Sequence, residues 1–155
     1  MPRITINNFL TFHHLLKTFN HFNEINFFIQ VGAHDGMMHD PLYFFLSDNE
    51  WNGILIEPQE EMLKIFKNRY KNRTNLLYYT LAVHPNQPRV TLYTIKNPIN
   101  YTQTGWATIL SDRLSNGKNK KELAITDVKA MPLMDVIKKS KFKIIDLLQI
   151  DTEGF

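Results

Sequence analysis

The apolar run Phe27-Phe28-Ile29-Gln30-Val31 passes directly into Gly32-Ala33-His34-Asp35-Gly36. A buried strand ending in two glycines four residues apart narrows the possible folds more than any other stretch of this chain. Glycine takes φ > 0 and lets backbone approach another group closely, which a residue with a Cβ does only at a cost. Such a turn suits a ligand. A second strand-like run, Gly53-Ile54-Leu55-Ile56, ends in Glu57, 21 residues after Gly36. In an open α/β sheet that is the place of a carboxylate that receives ribose hydroxyls.

The rest of the chain supplies the alternation such a sheet needs. Apolar residues Phe9, Phe12, Leu15, Leu16, Phe19 and Phe22 recur at three- and four-residue spacing, so residues 9–22 read as an amphipathic leader helix with Asn8 as its cap. Strands are expected at 27–31, 53–57 and 76–83. Between them fall a short helix at 41–46 with proline in its first turn and a longer one at 59–70, whose Met62, Leu63, Phe66 and Tyr70 share a face. Strands separated by helices predict a parallel sheet with right-handed crossovers. Further on, 90–95 alternates like a half-exposed strand, 96–123 is irregular with Trp106 in its middle, 126–131 is extended and 133–139 helical. The run 144–150 is a last buried strand ending in Asp151-Thr152-Glu153-Gly154. A loop as long as 96–123 is usually functional or disordered; Trp106 there either anchors the loop or lines a substrate pocket.

Composition removes several function classes. At 155 residues, with 43% hydrophobic and 21% charged residues, the chain reads as a helical leader over 1–26 followed by one globular α/β domain over 27–155. No apolar run approaches the roughly 20 residues of a membrane helix. The N-terminal segment lacks the unbroken apolar core of a signal peptide, and there are no cysteines, so a cytoplasmic location is expected. The net charge of +3 is spread over lysines and arginines not interleaved with stacking aromatics, which argues against a nucleic-acid partner. His13, His14 and His21 lack neighbouring carboxylates, and no metal site is expected.

Ligands of open parallel sheets bind beyond the carboxyl ends of the strands. Gly32 to Gly36, Glu57 with Pro58, Ala82 with Val83, and Asp151 to Gly154 all stand at such ends. The glycine spacing selects among cofactors. A dinucleotide needs Gly-x-Gly-x-x-Gly so that its pyrophosphate sits on a helix N-terminus, whereas here Ala33 and His34 stand where the middle glycine belongs. S-adenosyl-L-methionine carries no phosphate, and acidic groups tolerate its sulfonium charge. The expected cofactor-binding set is therefore Gly32, Ala33, His34, Asp35, Gly36, Glu57, Pro58, Ala82 and Asp151.

In order and spacing, residues 28–36, Asp40-Pro41, 51–58 and 146–155 resemble the FkbM-type methyltransferases, and 128–137 resembles the extended segment and short helix before the family's last motif. The resemblance covers about residues 27–155. It implies a class I methyltransferase, that is, a Rossmann-like, mostly parallel sheet with helices on both faces. It also implies transfer of a methyl group from S-adenosyl-L-methionine to a hydroxyl of a sugar, glycan or related small molecule. Family members often carry asparagine at the position of His34, and their sheet continues with further strands beyond Phe155, so the domain is expected to be incomplete at its C-terminus. An acceptor hydroxyl must lose a proton; Asp151 is the first candidate to take it and Glu153 the second. Their alternative role is to cap backbone amides. Rival functions are a non-catalytic module or inactive fragment that keeps the crevice and, disfavoured by the glycine spacing, an NAD-dependent oxidoreductase.

Overall fold

A computed structural model describes residues 12–48, 51–110, 122–142 and 144–152. Its centre is β1 (Phe27–Val31), all five residues of which are buried. β2 (Asn52–Ile56) pairs parallel to one side of it and β3 (Leu76–Tyr79) parallel to β2. The chain then returns to place β7 (Leu147–Ile150) parallel to the other side of β1, which gives the order β3-β2-β1-β7. The direction of strand addition therefore reverses between β1 and β7.

Alternation along the strands divides the core into two layers. Phe28 and Leu55 pack on one face with Leu16 of α1 (Phe12–Asn23), Phe45 and Leu46 of α2 (Tyr43–Asp48), and Leu63 and Phe66 of α3 (Glu60–Arg69). Phe27, Ile29, Val31, Ile54 and Ile56 face the other way, against Leu81 and Val136 of α4 (Leu133–Lys139). The expected helix 9–22 is found from residue 12 onward, and its first residues lie outside the described part. Among the described residues no helix is long and apolar enough to cross a membrane.

The expected strand 76–83 is two strands in two sheets. β3 stops at Tyr79; β4 (Ala82–Val83) pairs parallel to β6 (Leu123–Met131), which pairs antiparallel to β5 (Arg89–Ile95). The reason is local. The last bond of the β2–β3 ladder runs from the Glu57 amide to the Tyr79 carbonyl at 3.1 Å, and the next donor on that edge, the Gln59 amide, is captured at 2.9 Å by the Glu57 side chain. With no donor to meet, the chain leaves the sheet. β6 starts three residues earlier than expected because it follows β5 throughout, from Arg89↔Lys129 to Ile95↔Leu123. β7 starts three later than expected, because Asp146 turns its carboxylate to the amides of Asn26 and Phe27, both at 2.9 Å, and caps the start of β1; at the edge of the described sheet it is also half-exposed rather than buried, with Leu148 and Ile150 open. Of the expected irregular segment 96–123, residues 96–110 are ordered by a 3-10 turn, Tyr101–Gly105, and an antiparallel bridge between Tyr93 and Thr108, and 111–121 lie outside the described residues.

Candidate active site at the reversal of the sheet

The turn after β1 is held by its own amides. Gly32 and Ala33 donate to the Ile56 carbonyl at 2.9 and 3.1 Å, His34 donates to Glu57 Oε2 at 2.9 Å, and Gly36 donates to the Ala33 carbonyl at 3.1 Å. Asp35 then accepts from the amides of Met37 and Met38 at 3.0 and 2.9 Å. Gly32 has φ +81°, and a Cβ there would stand 1.9 Å from the Asp151 carbonyl oxygen. Glycine is required at that position on both counts.

Two cavities meet at this junction, and both are lined by Gly32 and Asp151. The first, about 220 Å³, also takes Glu57, Pro58 and Ala82 into its wall, together with Leu81 and Ile109. The second, about 170 Å³, is lined by Ala33 and His34 as well as Gln30, Asp40, Trp106 and Gln149. Seven of the sequence-derived residues thus surround two adjoining spaces. Asp35 and Gly36 line neither: a Cβ on Gly36 would meet the Phe66 ring at 2.4 Å, and Asp35 is 2% exposed. Glu153 lies outside the described residues.

Glu57 is 4% exposed, and each of its oxygens accepts one amide, from Gln59 and from His34. Burial raises its pKa, against the pull of those two hydrogen bonds. The Gln59 side chain also donates to it, so of the roughly four lone-pair sites of a carboxylate about one is left. Asp35 is different. Burial would raise its pKa, but the Met38 and Met37 amides, the Tyr101 hydroxyl at 3.0 Å and the neighbouring His34 together hold it below the usual value. The 3-10 turn closes over this region through the Tyr101 bond to Asp35 and a 3.1 Å contact between His34 Nε2 and the Thr104 hydroxyl. Sequence reasoning missed Tyr101 and Thr104, since nothing near them in the chain marks a partner some 70 residues away. Trp106, the ambiguous tryptophan, lines the second cavity.

Asp40 carries the clearest pH signature. Burial pushes its pKa up to about 6, helped by the charges of Asp35 and Asp151 and opposed by hydrogen bonds from the Leu42 amide and the Gln30 side chain. A folded-state pKa above the unfolded value means that the folded chain holds the extra proton. Stability is then greatest below pH 4 as far as this group is concerned and is lost as pH rises to about 6, by roughly 3 kcal/mol. Asp40→Asn is expected to flatten that part of the stability profile in urea denaturation between pH 4 and 7. An unchanged slope would show that Asp40 is not the group responsible.

The family model "Methyltransferase FkbM domain" matches residues 30–155, and the chain belongs to that family. It is a methyltransferase domain, and the match spans the strands and turns that build both cavities. Comparison with curated proteins and with solved structures gives no significant match. Among the described residues no three His, Cys, Asp or Glu side chains gather as metal ligands do.

Proposed function

We propose that this domain binds S-adenosyl-L-methionine in the first cavity and directs its methyl group to a hydroxyl of a sugar, glycan or related small molecule. The observation that carries the choice of cofactor is the fate of the turn's amides. Those of Gly32, Ala33, His34, Gly36, Met37 and Met38 all donate within the chain, so the donors a pyrophosphate would need at this turn are already committed. The residues present fit a phosphate-free adenosyl group instead. Glu57 keeps an acceptor position for a ribose hydroxyl, and the apolar wall of Leu81, Ala82 and Ile109 suits a purine. The order β3-β2-β1-β7, with its reversal at β1, supports a class I arrangement.

When bound, the cofactor supplies an electrophilic methyl group. The chain's part is positioning and proton removal. Gly32 brings the β1 turn against the end of β7, so that Asp151, which is exposed to both cavities, stands where an acceptor hydroxyl can reach it as a base. The His34 ring, tied to Thr104 and Asp35, borders the same space. Calorimetry is expected to show binding of S-adenosylhomocysteine and none of NAD. Binding of NAD alone would overturn the assignment.

A further inference from the structure

Gln30 and Gln149 stand opposite each other in the β1–β7 register, and both line the second cavity. Strands about 4.8 Å apart bring such a pair into contact range. Gln30 is 1% exposed, and its amide nitrogen donates to Asp40 Oδ1 at 2.8 Å, which fixes which end of the amide is oxygen. Its Oε1 has no hydrogen-bond partner among the described residues, and neither do Asp40 Oδ2 and Gln149 Oε1. These three buried oxygens belong to side chains that line one space of about 170 Å³, and all three are acceptors.

Buried acceptors without donors are costly, so the chemistry of a matching ligand can be read from them. One carboxylate and two amide oxygens carry a single negative charge. A divalent cation, which takes six or more oxygens, is poorly matched even with Asp151 on the same wall, since among the described residues no three His, Cys, Asp or Glu side chains gather as its ligands. A hydroxyl offers one donor for three acceptors, whereas an –NH3⁺ group offers three donors and one positive charge. We propose that Gln30, Asp40 and Gln149 form a recognition site for a primary ammonium group. The ammonium has two possible sources: the amino-acid end of an adenosyl donor in the adjoining cavity, or an amine on the acceptor. The proposal rests on the adenosyl reading only for the first of these.

Two measurements test it. The first supplies the ammonium from within: Gln149→Lys is expected to raise the thermal midpoint by about 2–8 °C over Gln149→Met at pH 7.5, and Asp40→Asn is expected to erase that rise. The second compares ligands by calorimetry. If the donor is the source, wild type binds S-adenosylhomocysteine at least about tenfold tighter than 5′-methylthioadenosine, which lacks the amino-acid end. Gln149→Lys then removes the difference and leaves 5′-methylthioadenosine binding intact. If the acceptor is the source, that ratio is near one, and protein saturated with 5′-methylthioadenosine binds glucosamine about tenfold tighter than glucose. Failure of 5′-methylthioadenosine to bind would count against the adenosyl cavity and leave the ammonium site to the thermal comparison. A rise that is absent, or that survives Asp40→Asn, means that the cavity holds water only and overturns the proposal. So does a rise with neither ligand pair discriminated.

Discussion

Glu57→Ala is expected to abolish measurable S-adenosylhomocysteine binding, a loss of at least about 100-fold in affinity. The carboxylate has two jobs on this reading, and alanine ends both. It removes the acceptor for a ribose hydroxyl. It also releases the amides of His34 and Gln59, each held at 2.9 Å by one carboxylate oxygen. Each orphaned amide costs about 1–3 kcal/mol, so the variant should be less stable as well as unable to bind. Glu57→Gln separates the two effects. A glutamine side chain offers one acceptor oxygen and an NH2, so it can latch one of the two amides but presents a donor to the other. Its stability should fall between wild type and Glu57→Ala, with binding still lost. Calorimetry beside urea denaturation reads both quantities. Wild-type affinity in either variant would reduce Glu57 to a structural latch and remove the ribose contact from the proposed function.

The same residue shows where sequence reasoning works and where it stops. β1, the glycine turn, β2 with Glu57 and the strand leading to Asp151 were legible because each is marked locally, by a mostly apolar run ending in a residue with a special backbone or charge. The division of 76–83 was not legible, since it depends on the Glu57 side chain reaching the Gln59 amide and so ending the β2–β3 ladder. Periodicity carries no trace of a side chain that competes with a sheet. Likewise, Tyr101 meets Asp35 and Thr104 meets His34 only because the loop after β5 folds back over the turn. Gln30 and Gln149 each interrupt an apolar strand, a visible oddity in sequence. Their meaning emerges only when register sets them side by side.

Gly32→Ala is expected to cost about 2–5 kcal/mol and to remove ligand binding at both cavities. Two contributions add. At φ +81° an alanine carries a left-handed penalty of about 1–2 kcal/mol. Its Cβ would also fall 1.9 Å from the Asp151 carbonyl oxygen, and overpacking of this kind costs about 1–3 kcal/mol. The obstacle is backbone, so no side-chain rotation relieves it. The strain must separate the end of β1 from the end of β7, where the Asp151 amide bonds the Val31 carbonyl at 2.9 Å. Gly36→Ala is the control. It too has a positive φ, of 68°, and its Cβ would press on the Phe66 ring, which is buried in the layer beneath and lines neither cavity. Its cost should appear in stability, with the affinity of the folded fraction close to wild type. Urea midpoints and calorimetry on both variants distinguish the positions. A Gly32→Ala protein as stable as wild type would mean that the Asp151 carbonyl does not cover that Cβ, and the two cavities would then not share the junction on which the proposed methyl transfer depends.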